Sequence, residues 1–258
     1  MPNAVLERIS VSIVSHGQGA LAAALLGDLA KHCCDTPMEV LLTLNLPELL
    51  PFDLAQFPFP VLQIVNPKPL GFGANHNQAF ERSSGDFFCV LNPDIRLSHN
   101  PFHALRAALT DPSVGLSAPS VLSPAGTPED SARAFPSPLD ILLKAMRLGH
   151  GRPLVVGAHT LYPDWVAGMC MLLPSALYRQ LGGFDTRYFL YYEDVDLCAR
   201  LRLAGLRVAL TPAARITHAA QRASHRKLSY LARHLLSCAR FFCSSPYWKV
   251  RLGWRASR

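Results

Sequence analysis

The chain has 258 residues, half of them apolar, which is enough to bury a sizeable core and excludes a disordered chain. No apolar run nears the ~18–20 residues of a membrane span, the longest candidate being residues 166–173. The first seven residues do not read as a signal peptide. The net charge of +7 is unevenly placed: residues 1–196 carry 12 Lys and Arg against 18 Asp and Glu, whereas residues 197–258 carry 13 Lys and Arg and no acid. An acidic body followed by a basic quarter suits an anionic partner for that quarter, such as phosphates, a lipid surface or nucleic acid. Seven cysteines without a Cys-x-x-Cys pair read as reduced thiols rather than a disulfide framework or a zinc cluster.

In chain order, residues 9–14 are a β-branched run that reads as a buried strand. Residues 20–32 read as a helix, with Leu21, Leu25, Leu29 and Cys33 at helical spacing. Strands at 39–44 and 61–65 flank a proline-rich link. A helix at 75–83 precedes a strand at 87–91, which ends at Asn92-Pro93-Asp94, and residues 101–109 read as another helix. This alternation predicts an α/β fold with a mostly parallel central sheet flanked by helices, whose ligands bind beyond the carboxyl ends of the strands. Residues 119–163 are proline-rich and weakly patterned. They predict a long, partly mobile loop with one short helix near 138–148. Regular structure returns at 165–173, in a short helix at 175–181, in a helix at 194–204 ended by Gly205, and in a strand-like stretch at 208–216.

Four features carry chemistry. Asp94 lies just past an apolar strand, where a carboxylate can hold a divalent cation, although Asn92-Pro93-Asp94 also has the composition of a plain turn. Glu193, Asp194 and Asp196 head a helix after the aromatic run 188–192. They suit either a helix dipole or a general base in an aromatic pocket. His218 follows a strand, as a structural histidine or as partner in an Asp/His metal site. Gly71 and Gly73 permit close backbone approach ahead of a helix that can receive phosphate, or make an ordinary glycine turn. No Gly-Lys-Ser/Thr and no Gly-x-Ser-x-Gly occurs, which argues against P-loop enzymes and serine hydrolases.

The motifs gain weight from their order. Ser15-His16, Gly71-Phe72-Gly73-x-Asn75-x-Asn77, Asn92-Pro93-Asp94, Gly182-Gly183-Phe184-Asp185, Tyr192-Glu193-Asp194-Val195-Asp196-Leu197 and His218 succeed one another. Over residues 9–218 this series resembles the family 2 glycosyltransferases of GT-A fold. It is most similar to the rhamnosyltransferase-like branch that builds O-antigen of lipopolysaccharide and other bacterial surface polysaccharides. The resemblance implies inverting transfer of a sugar, L-rhamnose being the one it suggests. The donor would be a dTDP- or UDP-sugar, the acceptor a glycan or lipid-linked glycan, and the cofactor Mg2+ or Mn2+. It implies Asp194 as the catalytic base with Glu193 as the weaker candidate, and Asp94 and His218 at the metal. Ser15, His16, Asn45, Gly71, Asn75 and Asn92 would meet the nucleotide and diphosphate. Trp165, Gly183, Phe184, Asp185 and Tyr192 would line the donor and acceptor pocket. The sequence departs from the family where Thr43-Leu44-Asn45-Leu46 replaces an Asp-Asn-x-Ser; Asn45 can still hydrogen-bond a pyrimidine edge.

Residues 219–258 form a basic extension to the 1–218 domain. Leu228, Leu231, Leu235, Cys238 and Phe242 recur at helical spacing, with Arg226, Arg233 and Arg240 on another stripe. Tyr247, Trp248 and Trp254 then interleave with Lys249, Arg251, Arg255 and Arg258. This reads either as a membrane-surface element on an anionic bilayer or as a helix packed on the domain with a solvated face; no nucleic-acid motif is present. The implied location is cytoplasmic, with a peripheral seat on the inner face of the inner membrane open to the basic tail. Two other functions fit parts of the sequence: a non-catalytic sugar- or lipid-binding relative and, third, a nucleotidyltransferase. The last should carry a basic phosphate loop, which Ser15-His16-Gly17-Gln18-Gly19 lacks.

Overall fold

Strand β1 (Ile9–Ser15) is buried along almost its whole length, as a parallel strand covered on both faces must be. It pairs in parallel with β2 (Met38–Leu44), which pairs in parallel with β3 (Val61–Val65), and on its other side with β4 (Phe87–Leu91). Beyond β4 the order continues through β9 (Cys170–Pro174), β6 (Val114–Leu122), β10 (Arg207–His218) and β5 (Ile95–Arg96). β10 is parallel to β6, while β9 runs antiparallel to both neighbours and β5 antiparallel to β10. The computed structural model describes residues 7–145, 157, 159–219 and 228–253.

Helices α1 (Gly19–His32) and α3 (Phe102–Ala108) cover one face of the sheet through a core that includes Leu25, Leu29, Phe102 and Leu105. Helices α2 (Phe72–Phe80), α5 (Ser175–Gln180) and α6 (Glu193–Leu203) cover the other through Phe80, Tyr178, Leu197 and Leu201. This is the predicted α/β layering, in a large, mostly parallel sheet flanked by helices.

The middle of the chain differs from its expectation. Residues 114–122, the last four of them inside the segment read as a loop, form the buried strand β6. Pro119 sits opposite Thr211, and the register slips there from Thr211 to Arg215, so a central strand accommodates a proline by bulging its neighbour. The stretch read as regular from 165 to 173 breaks at Gly168. Its first part, β8 (Trp165–Val166), pairs with β7 (Ala132–Arg133) in a separate two-stranded ladder. Helix α4 (Pro138–Ala145) starts where expected, and the remainder of that prediction lies outside the described residues.

Two helices follow β10. Helix α7 (Leu228–Phe242) spans the residues read at helical spacing, while Arg226 lies outside the described residues. The aromatic segment after it is a second helix, α8 (Ser245–Arg251), opened by a Ser244 cap and Pro246; Trp254, Arg255 and Arg258 lie outside the described residues. Cys238, Phe241 and Tyr247 bury against Tyr188, Tyr192, Val195 and Ala199, so the extension packs on α6. Leu231, Leu235 and Leu236 point away, 56–60% exposed. No helix among the described residues is long and apolar enough to cross a membrane.

Candidate active site

β4 delivers Asn92-Pro93-Asp94 to the carboxyl edge of the sheet, where the Asn92 N–H donates to the Met169 carbonyl at 2.9 Å. His218 ends β10 in register with Ile95, and this pairing carries its ring to Asp94 across 124 positions: Nε2 lies 3.2 Å from Asp94 Oδ2. From the other side Nδ1–H donates to Glu129 Oε2 at 2.8 Å. The Asp94 hydrogen bond first, and then Glu129, raise the proton affinity of the imidazole against burial, pushing it up to about 9, so a cation at Nε2 would take the place of that proton. Sequence reasoning missed Glu129, a lone acid in a proline-rich stretch.

The Asp94–His218 pair fits a divalent cation. Asp94 Oδ1 is buried without a hydrogen-bond partner, and two donors 3.2 Å apart match adjacent ligands of an octahedral ion, which sit about 3 Å apart when bonds are ~2.1 Å. Among the described residues no third His, Cys, Asp or Glu completes a cage. A cation here would take its remaining ligands from water and phosphate, as Mg2+ does.

Asp194 sits in the first turn of α6, partly buried. Its Oδ2 accepts the Gly168 N–H at 3.1 Å and its Oδ1 the Val195 N–H at 2.8 Å. Burial pushes this carboxyl up to about 6, opposed by those N–H groups and by the charge of Arg133. Glu193 is 5% exposed with Oε2 unpartnered, and burial, then the Asp194 charge, raise it far more. Asp196 is structural, ion-paired with Arg200 at 2.8 Å. Neither Glu193 nor Asp194 caps the helix. The residue before them, Tyr192, and Tyr191 before that both take left-handed backbone (φ 69° and 70°), a strain of about 1–3 kcal/mol each that the packing against α7 must offset. Ser237 Oγ donates to the Leu190 carbonyl at 2.9 Å, Arg240 donates to the Arg187 carbonyl, and Arg233 lies 4.1 Å over the Phe189 ring. Tyr192 faces this helix, its ring 5.5 Å from His234 and 5.6 Å from Phe241.

The glycine motifs lock together. The Phe72 N–H donates to the Phe189 carbonyl at 2.8 Å, and a Cβ on Gly71 would lie 2.7 Å from that oxygen, so only glycine lets the two loops meet. Asn77 bridges α2 to the Gly183-Phe184 turn. Asp185 is held low by Arg187 despite its burial, and serves that turn.

The amides of Asn45, Asn66 and Asn75 form a buried chain. Asn66 Nδ2 donates to Asn45 Oδ1 at 2.9 Å and to Asn75 Oδ1 at 2.6 Å, while Asn45 also holds Leu70 N–H, Leu70 O and His16 Nδ1. These groups shape the 66–71 loop from within, so the Asn45 amide expected at a pyrimidine edge is already engaged. Ser15 Oγ donates to Glu48 at 2.5 Å, and the same carboxylate accepts the Gly19 N–H at 2.8 Å. The α1 N-terminus, where a phosphate loop would bind, is thus occupied by a side chain.

Trp165 stands on β8, its Nε1–H bonded to the Ala134 carbonyl, with Arg133 5.8 Å over its ring. Arg133, also missed from sequence, is ion-paired with Asp130.

The glycosyltransferase-like family 2 model matches residues 55–236. The chain is 33% identical over 183 residues to an N-acetylglucosaminyl-diphospho-decaprenol L-rhamnosyltransferase of Mycobacterium tuberculosis, covering 66% of this chain and 59% of that protein. It is 29% identical over 250 residues to rhamnosyltransferase WbbL of Escherichia coli, covering 90% and 92%. Among solved structures it is similar to the mannosyltransferase PcManGT of Pyrobaculum calidifontis, solved with GDP-Man and Mn2+ (TM-score 0.65, 16% identity, 94% of this chain and 66% of that one). It is also similar to GalNAc-T7, solved with UDP, GalNAc and Mn2+ (TM-score 0.64, 15% identity, 84% and 44%).

Proposed function

This chain belongs to glycosyltransferase family 2, and on that footing we propose that it transfers a sugar, with inversion, from a nucleoside diphosphate sugar to a hydroxyl of a glycan or lipid-linked glycan. One observation carries the reading. The turn that carries Asp94 and the Asp194 carboxylate are fastened to one short loop, Met169 receiving the Asn92 N–H and Gly168 donating to Asp194. An acceptor and a leaving diphosphate must meet within such a span.

In this reading the Asp194 carboxylate accepts the proton of the acceptor hydroxyl as its oxygen attacks the sugar carbon, and the diphosphate departs from the opposite face. Both Asp194 oxygens already accept backbone N–H groups, which fixes the carboxylate while leaving lone pairs for the hydroxyl. Asp94 and His218 would hold Mg2+ or Mn2+, which supplies positive charge to the diphosphate. Gly71 and the amide-braced 66–71 loop bound the nucleotide side, and Trp165, with Arg133 beside it, offers a stacking face for a sugar on the acceptor side. Glu193, buried beside Asp194 with its proton affinity raised, is the weaker candidate for the base.

The relatives named as rhamnosyltransferases support rhamnose as the sugar, with a dTDP- or UDP-sugar as the donor to be tested, and the decaprenol diphosphate in the mycobacterial name supports a lipid-linked acceptor. Such an acceptor supports a location in the cytoplasm against the inner membrane. The outward leucines of α7 and the uninterrupted positive charge of residues 197–258 support that seat.

The test is incubation with dTDP- and UDP-sugars, with and without Mn2+ or Mg2+, scoring free nucleoside diphosphate. Metal-dependent release is expected. Binding without release in every case would favour a non-catalytic relative, and pyrophosphate release from nucleoside triphosphate would favour a nucleotidyltransferase.

A further inference from the structure

We propose that Glu129 is a positioning residue that fixes the His218 ring with Nε2 turned toward Asp94. The inference rests on the assignment of Asp94 and His218 as the cation-binding pair. An imidazole has two nitrogens, and which one a cation meets is decided by the hydrogen bond the other makes. Here Nδ1–H has one partner, Glu129 Oε2, at 2.8 Å. Without it the ring can turn over, presenting either nitrogen to Asp94.

Glu129 is well placed to hold an orientation. The reverse turn after β6 closes through Ser123 and Thr127, whose backbones bond at 2.8 Å, and through a bridge between Leu122 and Pro128. The Glu129 N–H then donates to the Val121 carbonyl at 2.8 Å, so its Cα is pinned to the strand that runs beside β10. Leu122 is in register with Thr217, one residue before His218. The Ser131 carbonyl in turn accepts the Ala167 N–H at 2.8 Å, beside the Gly168 that binds Asp194. The carboxylate is only partly exposed, so its contact with the ring is not a loose surface pair.

The experiment compares Mn2+ affinity, by calorimetry or by electron paramagnetic resonance of free Mn2+, with and without UDP. It uses the full chain carrying wild-type sequence, Glu129→Leu, Glu129→Gln or His218→Ala, and metal-free melting checks that each variant folds. Glu129→Leu should weaken Mn2+ binding by about 10–100-fold. Glu129→Gln, whose amide oxygen still accepts the Nδ1 proton, should stay within a few-fold of wild type. If Glu129→Leu binds like wild type while His218→Ala does not, Glu129 orients nothing. If the amide loses as much as Leu, the orienting hydrogen bond is also refuted. Wild-type affinity in His218→Ala would instead overturn the metal assignment itself, and this inference with it.

Discussion

Asn77 and Phe184 are joined by reciprocal hydrogen bonds: the Asn77 amide donates to the Phe184 carbonyl at 2.8 Å, and its oxygen accepts the Phe184 N–H at 2.9 Å. The same oxygen receives the Tyr178 hydroxyl at 2.7 Å. One side chain therefore fastens the two halves of the domain across 107 positions, and Gly183 passes so close that a Cβ there would lie 2.4 Å from it.

Asn77→Ala leaves a buried N–H, carbonyl and hydroxyl unpaired and should cost about 2–3 kcal/mol in urea unfolding. Gly183→Ala adds a clash to a left-handed backbone (φ +66°) and should be at least as harmful. An unchanged urea midpoint in both would mean that the halves are held elsewhere.

Activity should follow the ionisation of Asp194. Its carboxyl is raised to about 6, and only the ionised form accepts a proton. The turnover rate should therefore fall about tenfold per unit as pH drops below 6 and level off above it. Asp194→Asn should lower transfer by about 10²-fold or more and remove that limb while donor binding persists. A flat profile from pH 7 to 5 in the wild type would point to another base.

Chelation should stop nucleoside diphosphate release, with Mn2+ or Mg2+ restoring it. In Asp94→Asn the carboxylate charge is lost, so added metal should restore little at concentrations that saturate the wild type. Full rescue would place the cation elsewhere.

Vesicle binding tests the extension. Replacing Leu231, Leu235 and Leu236 by Gln should weaken sedimentation with anionic vesicles and spare donor hydrolysis, since all three are exposed. High salt should weaken what remains, each cation near the surface contributing about 1 kcal/mol before screening. Deleting residues 247–258 is the poorer probe, because it removes Tyr247, buried against Phe241. No binding at low salt would leave α7 as a packing element only.

The sequence exposed those parts of the site whose chemistry is local. Asp94 follows an apolar strand, and the acids at 193–196 follow an aromatic run, so both stand out in the sequence, although their roles are expected only from the resemblance in motif order. The elements it concealed depend on distant partners. β6 was unreadable because Gly115 and Pro119 punctuate it, and only the bulge in β10 makes room for the proline. Glu129 and Arg133 lie in a stretch without periodicity, and their relevance comes from β10 and β8 arriving beside them. Asn45 shows what residue type alone cannot tell: its amide is engaged with Leu70, Asn66 and His16, partners distant in sequence.

The ladder of Ala132–Arg133 with Val166–Trp165 has a consequence for how such an enzyme diversifies. The Ala167 N–H donates to the Ser131 carbonyl beside the Gly168 that binds Asp194, and Leu161 bridges to Leu210 on β10, so the chain is anchored to the scaffold on both sides of the segment between them. On the proposed reading, a change of length between those anchors would alter what stands near Asp194 while the strands that set Asp94 and His218 keep their spacing.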